Sequence, residues 1–351
     1  MRAHALLLTG FALATLAAPA AAQAPAAAPA SAFSFAVLGH VRGGRDGPNP
    51  KLAELLDNVR RLKPAFVVLT GDMIWGDIEH NPADTAWILR EWTHLDSALA
   101  TLGVPAYRVP GNHDINDLAT RDIYLRRYGR PPASVTYGGT QLLLLSSAYI
   151  PPDSDKRKMP AIRTRALEPA QAAWLRTELA KPGFAHRFVF MHHLLWWEPD
   201  SSSWWREVHP MLSAAKVDAV FSGDYGPMKF STRTKDSVRY YQTSMEGSPS
   251  IAMLRGNLAA RTLSSQFDNF LEVRVDGATS NVVVHTIAET SSGFFTPQHY
   301  AEVTAPAPPE PLGRRVWDKI REPKRLVLVV FGLAIVFGAG WFARGATGRR
   351  P

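Results

Sequence analysis

Residues 105–114 read PAYRVPGNHD, and this stretch is the most informative one in the chain. Residues 105–109 form a short apolar run that predicts a buried β-strand, and the motif GNHD at 111–114 follows it directly. Asparagine is a poor metal ligand by itself, but here it adjoins a His-Asp pair that can act as an oriented acid. The alternative is a polar turn whose side chains bond only to the loop backbone.

Strand and helix patterns alternate on both sides of this motif. In the first half, apolar runs are separated by segments with helical spacing, which predicts β-α-β units. The later part is poor in helical patterns and favours antiparallel strands. Predicted strands cover residues 33–38, 65–69, 105–109, 141–146, 187–191, 217–221, 238–242, 271–275 and 282–286, and predicted helices cover 51–62 and 85–102. The predicted fold class is α/β, a four-layer α/β/β/α sandwich of two packed sheets with helices outside.

Polar loops follow four other predicted strands. Because ligands in open α/β folds bind where loops leave the carboxyl ends of strands, these loops are the candidates for a functional site. They are His40-Val41-Arg42, Gly71-Asp72, His192-His193 and Gly223-Asp224-Tyr225-Gly226. A Gly-Asp turn after a strand is common, so Asp72 alone is as often structural as functional.

The order and spacing of these motifs resemble the calcineurin-like metallophosphoesterase family over about residues 33–290. The resemblance implies metal-dependent hydrolysis of a phosphate mono- or diester, with Asp72 bridging the family's two metals. It also implies that Asn112 and His192 bind the second metal, that His113 is the acid in contact with the substrate, and that Asp114 orients His113.

The choice of His192 over His193 rests on the family's His-x-Pro pattern, in which Leu194 stands at the proline position. His193 remains the alternative ligand.

Two motifs depart from the family pattern. The family opens with Asp-x-His and closes with Gly-His-x-His, where this chain has His40-Val41-Arg42 and Gly223-Asp224-Tyr225-Gly226. Arginine is always protonated and has no lone pair, so Arg42 cannot bind a metal. Gly226 has no side chain, and the first metal is therefore expected to be lost.

A single-metal site is the resulting prediction. The ligands expected for the second metal are Asp72, Asn112, His192 and Asp224, with Asp224 in place of the usual histidine. This mixed oxygen and nitrogen set suits one divalent metal per chain, Mn, Fe, Zn or Mg. A water activated by the metal would attack phosphorus in line.

Arg42 can replace the lost metal electrostatically. In the family, the first metal and the one carboxylate that binds only this metal together carry one positive charge. In this chain, a neutral His40 and the Arg42 guanidinium together carry the same charge. We expect Arg42, His113 and Tyr225 to contact the substrate, since a guanidinium pairs well with phosphate oxygens. The alternative is that Arg42 only forms a salt bridge with Asp72 in an inactive site. His40 either orders the water, acts as a base, or is a hydrogen-bonded loop residue.

Both ends of the chain indicate export and membrane attachment. Residues 1–24 have a basic residue, a short apolar run and small residues before a cleavage point, which predicts a secretory signal peptide rather than a retained anchor. Residues 326–343 are eighteen residues without charge and predict a single transmembrane helix. Between them we expect a leader (25–31), the metallophosphoesterase domain (32–300) and a Pro-rich linker with a charged juxtamembrane segment (304–324), and a basic tail (344–351) follows the helix.

This organisation predicts an inner-membrane protein with its catalytic domain on the periplasmic or extracellular side. The basic tail fits the positive-inside tendency, although basic residues also flank the other end of the helix. The chain has no cysteine, which excludes disulfides and thiolate ligands. The net charge of +8 arises partly at the ends and does not indicate nucleic-acid binding.

Overall fold

The computed structural model describes residues 30–287, apart from 46, 79, 81–82, 149–165, 225–228, 246–262 and 266–267. The chain divides into two compact units, Met1–Thr296 and Pro297–Pro351, and every described residue belongs to the first. The predicted signal peptide, the linker, the transmembrane helix and the basic tail lie outside the described residues. In the described part of the chain, no helix is long and apolar enough to cross a membrane.

Twelve strands and five α-helices form the described part of the chain. The strands are β1 (Ala30–Leu38), β2 (Val67–Leu69), β3 (Ala106–Arg108), β4 (Ala133–Tyr137), β5 (Thr140–Leu144), β6 (His186–Phe190), β7 (Ala219–Ser222), β8 (Phe230–Lys235), β9 (Val238–Gln242), β10 (Leu263–Ser265), β11 (Asn269–Gly277) and β12 (Thr279–Thr286). The helices are α1 (Leu52–Leu62), α2 (Thr85–Ala100), α3 (Leu118–Tyr128), α4 (Pro169–Leu179) and α5 (His209–Ala214).

The strands form two mixed sheets. The first has the order β12-β11-β1-β2-β3, and its β1, β2 and β3 are parallel. The second has the order β10-β8-β9-β7-β6-β5-β4, with β5, β6, β7 and β9 parallel. Since parallel strands end on the same side of a sheet, each sheet presents several loops at one edge.

Three apolar clusters hold the layers together. The central cluster joins the inner faces of the two sheets, through side chains such as Phe35 and Val68 on one and Phe188 and Phe221 on the other. A second cluster packs α1, α2 and α3 on the outer face of the first sheet. A third packs α4, α5 and several tryptophans on the outer face of the second. The two sheets are therefore flanked by helices, which confirms the predicted mixed α/β fold.

The helix α1 shows why the periodicity could be read from sequence. Its buried residues are Leu52, Leu55, Leu56 and Val59, at the spacing of one helical face. The helix ends at Lys63, whose backbone is left-handed with φ of 51°. Helices without such an apolar stripe, such as α3, were not predicted from the sequence. The helix α3 buries Thr120, Ile123 and Tyr124 among charged residues, and its start is fixed by an Asp117–Thr120 capping box.

Candidate metal centre

Loops from both sheets bring the predicted site residues together. The loops after β1, β2 and β3 carry His40 and Arg42, Asp72, and Asn112 with His113, whereas the loops after β6 and β7 carry His192 and Asp224. Most of these side chains are buried, and Asp224 is partly exposed. The predicted convergence on one centre is therefore present in the fold. Tyr225 lies outside the described residues.

Asp72 is the central residue of this centre. Its Oδ1 lies 3.2 Å from His192 Nε2 and accepts a hydrogen bond of 3.0 Å from the His113 backbone N–H. Its Oδ2 faces a different set of groups: His40 Nδ1 at 3.7 Å, Arg42 Nε at 3.8 Å and His113 Nε2 at 3.9 Å. Burial alone would raise the pKa of Asp72, but these histidines and the guanidinium lower it far below its usual range. Asp72 is therefore an ionised carboxylate.

His192 has the tautomer that a metal ligand needs. Its Nδ1 lies 2.9 Å from the Thr70 carbonyl oxygen, and because a carbonyl can only accept, Nδ1 carries the proton. Nε2 then points at oxygens only, with Asn112 Oδ1 at 3.2 Å and Asp224 Oδ1 at 3.6 Å. Burial lowers the pKa of His192, but the carboxylates of Asp72 and Asp224 outweigh this and raise it. A cation between the nitrogen and these oxygens would satisfy all of them, so the donor set fits a divalent metal.

Two groups of ligand-capable side chains share Asp224. In one, atoms of His40, Asp72 and Asp224 all lie within 4.8 Å of one another, and in the other the same holds for His192, His193 and Asp224. The Asp224 loop is fixed to His192, whose carbonyl accepts the Gly223 and Asp224 N–H groups at 3.1 and 2.8 Å. The structure thus places His193, the alternative of the sequence analysis, at the centre as well.

Arg42 packs on an aromatic ring next to Asp72. Its guanidinium carbon lies 4.5 Å from the centroid of the Trp75 ring, and its Nη1 donates to the Gly43 carbonyl at 3.1 Å. The side chain is 7% exposed, so its positive charge is directed into the centre rather than into solvent. Trp75 was not predictable from the sequence, because its partners Arg42 and His113 lie in other loops.

The orientation of His113 differs from the prediction. His113 Nδ1 donates to the Trp75 carbonyl oxygen at 2.7 Å, whereas the Asp114 carboxylate accepts the backbone N–H groups of Met73, Ile74 and Gly111 at 2.8, 3.2 and 2.8 Å. The prediction that Asp114 directly orients the His113 ring was therefore wrong. Asp114 holds two loops together, because a carboxylate three residues after Gly111 reaches backbone donors more easily than the neighbouring ring.

The protonation of these two residues follows from burial. Burial lowers the pKa of His113, with the Asp72 carboxylate acting in the opposite direction. Burial and the nearby Asp72 charge raise the pKa of Asp114 to about 7. With Nδ1 bonded to a carbonyl, His113 presents Nε2 toward Asp72 and the centre.

The backbone around the centre is strained and closely packed. His40 and Asp72 both have φ of 50°, a left-handed conformation that non-glycine residues rarely adopt. A Cβ at Gly71 would lie 2.4 Å from His192 Nδ1, and one at Gly111 would lie 2.2 Å from Asp72 Oδ1. Glycine is therefore required at both positions for the ligand side chains to approach each other.

The family comparison agrees with this geometry. Residues 36–225 match the family described as calcineurin-like phosphoesterase. This is more than half of the chain, and the chain belongs to that family. Membership implies metal-dependent hydrolysis of phosphoesters. A search of curated proteins found no match.

Solved structures with the same fold include a phosphatase and a protein described as an anchor. Purple acid phosphatase PPD1 from yellow lupin (Lupinus luteus) is 10% identical with a TM-score of 0.53, covering 76% of this chain and 53% of that one. GAP50, "the anchor in the inner membrane complex of Plasmodium", is 13% identical with a TM-score of 0.50, covering 78% and 96%. PhoD is 12% identical with a TM-score of 0.50, covering 74% and 69%. The chain thus spans about half the length of the plant phosphatase, and these similarities establish the fold alone.

Proposed function

We propose that this chain hydrolyses a phosphate mono- or diester with one divalent cation, and that Arg42 replaces the family's other metal. The proposal is supported above all by the different neighbours of the two Asp72 carboxylate oxygens: Oδ1 faces His192 Nε2 at 3.2 Å, and Oδ2 faces Arg42 Nε at 3.8 Å. One carboxylate thus faces a histidine nitrogen that can bind a metal on one side and the always charged guanidinium of Arg42 on the other.

The cation would be held by Asp72, Asn112, His192 and Asp224, a set open to Mn, Fe, Zn or Mg. When bound, it supplies Lewis-acid polarisation of a phosphoryl oxygen and activation of water.

The protein's own groups complete the chemistry. Arg42, fixed on Trp75, offers N–H groups for phosphate oxygens and offsets charge that develops on them. His113, held through Nδ1 by the Trp75 carbonyl, acts as the general acid in its doubly protonated form: Nε2 first takes up a proton, which the nearby Asp72 carboxylate favours, and then passes it to the leaving oxygen. His40, near Asp72 Oδ2, orders the attacking water. We include Tyr225 among the substrate contacts on the basis of its sequence position alone.

The test is hydrolysis of an aryl phosphate with added Mn²⁺ by the wild type, His113→Ala and Asp72→Ala. Loss of the proton donor should lower kcat by roughly 10²–10⁴-fold while the bound metal remains. Loss of Asp72 should remove both activity and metal. His94→Ala, an exposed histidine on α2, is the control and should behave as the wild type. Equal background rates in all four proteins would refute the enzymatic proposal.

A non-catalytic binding or scaffold role is the second candidate. It is favoured by Arg42, which stands at a ligand position and pairs with Asp72 as a salt bridge in an inactive site would. The similarity also covers 96% of GAP50, a protein described as an anchor. This role predicts folded, stable protein without hydrolysis and without tightly bound metal.

Export and membrane attachment remain part of the proposal on sequence grounds. The apolar runs in residues 1–24 and 326–343 support a cleaved signal peptide and a single anchor, with the domain on the periplasmic or extracellular side of the inner membrane. Protease treatment of spheroplasts should degrade the domain. Protection of the domain until the membrane is disrupted would reverse the orientation.

A further inference from the structure

His193 lies at the metal centre but has no role in the hydrolysis proposed above. Its side chain is buried, and its ring meets that of His192 edge-on, with 4.9 Å between centroids and 75° between planes. Ligand-capable atoms of His192, His193 and Asp224 lie within 4.8 Å of one another. Ligands bonded to one metal at about 2.1 Å can be about 4.2 Å apart at most, so a small closure brings all three into coordination range.

Both histidine rings are anchored through Nδ1. His192 Nδ1 donates to the Thr70 carbonyl at 2.9 Å, and His193 Nδ1 lies 3.0 Å from Ser147 Oγ. A hydroxyl can donate or accept, so this contact allows either tautomer of His193, and a cation on Nε2 requires the one in which Nδ1 carries the proton. Ser147 Oγ also accepts the backbone N–H groups of His192 and His193 at 3.2 and 2.8 Å. One hydroxyl therefore fixes the loop that carries both rings.

The position of Arg42 separates the two groups of ligands. The group of His40, Asp72 and Asp224 includes the carboxylate whose Oδ2 lies 3.8 Å from Arg42 Nε. A divalent cation bound to that oxygen is repelled by the guanidinium. His192 faces carbonyl, amide and carboxylate oxygens, so a cation is more stable on its side of Asp224.

From this geometry we propose that His193 is an additional ligand of the cation, so that two imidazoles and the Asp224 carboxylate form its core. The inference rests on the proposed function for the presence of a cation. Imidazole nitrogen suits Zn and Fe, whereas Mg prefers oxygen ligands alone. The second imidazole therefore makes the centre selective for a transition metal and disfavours Mg.

The experiment measures metal affinity on the full-length protein. Zn²⁺ and Mg²⁺ affinities are obtained by competition with a chromophoric chelator for the wild type, His193→Ala, His192→Ala and the surface control His94→Ala. His193→Ala should lower Zn²⁺ affinity roughly 10–100-fold and leave the much weaker Mg²⁺ affinity within about threefold, since only the transition metal uses the ring. The visible bands of the Co²⁺-loaded protein should shift in His193→Ala and stay unchanged in His94→Ala.

The possible failures can be told apart. If His193→Ala keeps the Zn²⁺ affinity and Co²⁺ bands of the wild type while His192→Ala loses them, the inference about His193 is overturned and the proposed function stands. If the wild type binds no cation, both are overturned. His193→Gln fills the same buried space without an imidazole, and it replaces the alanine variant if circular dichroism shows that variant to be unfolded.

Discussion

At the residue scale, the two oxygens of Asp72 divide the centre. Oδ1 belongs to the His192 side and Oδ2 to the side of His40 and Arg42. Sequence motifs located these residues because each motif is a few consecutive residues after a strand. The supporting contacts could not be located in the same way, since they join distant segments: Thr70 to His192 across 122 residues and Ser147 to His193 across 46.

Arg42 should determine the number of metals bound. The double substitution His40→Asp/Arg42→His restores the family's opening motif and removes the positive charge beside Asp72. It provides a carboxylate and an imidazole that join Asp72 as three ligands, enough for an open site. We expect the metal content of the purified protein to rise from about one to about two equivalents per chain.

The matched control is Arg42→Leu, which removes the charge without adding a ligand and should stay at one equivalent. Two tightly bound metals in the wild type would contradict the replacement of a metal by Arg42.

At the element scale, α2 holds the loop on which the catalytic side chains depend. Glu91 on α2 accepts the backbone N–H groups of Trp75 and Gly76 at 2.9 and 3.1 Å, and burial raises its pKa. Trp75 in turn holds His113 through its carbonyl and carries Arg42 on its ring. The helix itself was predictable from its apolar spacing, but its contact with the turn was not, because a partly buried glutamate on an amphipathic helix reads as an ordinary surface residue.

Glu91→Ala should destabilise the domain and reduce activity without affecting the metal. Two backbone donors lose their acceptor, which costs about 1–3 kcal/mol of the free energy of unfolding, measured by urea denaturation. The freed turn should also loosen His113 and lower kcat. The exposed control Arg90→Ala, one residue away on the same helix, should change neither quantity by a comparable amount. A stable but metal-free Glu91→Ala protein would contradict this assignment.

One carboxylate of the hairpin β11–β12, that of Glu272, should make the stability of the folded domain depend on pH. Burial would raise the pKa of Glu272, but bonds from Arg274 Nη2 at 2.8 Å and His285 Nε2 at 3.0 Å outweigh this and lower it below its usual value. A depressed pKa in the folded state contributes stability above the unfolded pKa, and this is lost as pH falls through the folded value.

Glu272→Gln should therefore cost about 0.5–1 kcal/mol of the free energy of unfolding at pH 7, and the cost should disappear as the pH falls through the lowered pKa of Glu272. Urea denaturation at pH 7 and at about pH 3 measures this, provided that the wild type still unfolds cooperatively at the lower pH. Glu54→Gln on an exposed face of α1 is the control and should show the same small effect at both pH values. A larger loss at the acidic pH would show that the bonds of Glu272 do not stabilise the folded state.

At the scale of the whole molecule, the proposed cation joins the two sheets. Asp72 and Asn112 follow strands of the first sheet, whereas His192 and Asp224 follow strands of the second. The sheets also adhere through the apolar central cluster and through hydrogen bonds such as that from His186 Nε2 to the Gly277 carbonyl at 3.1 Å. A ligand that binds only the assembled loops stabilises the folded state by mass action. The metal should thus affect the stability of the entire domain and not just the order of a few loops.

Thermal unfolding should accordingly depend on metal concentration. At a free metal concentration one hundred times the Kd, the stabilisation is about 2.7 kcal/mol, which for a domain of this size raises Tm by roughly 5–10 °C. A chelator should lower Tm by the same amount. Asp224→Ala should remove most of this response. Among the described residues, Asp224 is the only carboxylate that the second sheet contributes to the two groups of ligand-capable side chains. Asp276→Ala, at the exposed end of β11, is the matched control and should retain the full shift. If Asp224→Ala responds to metal and chelator as fully as the wild type does, the cation does not join the second sheet through that loop, and the ligand set must be rebuilt around Asp72, Asn112 and His192.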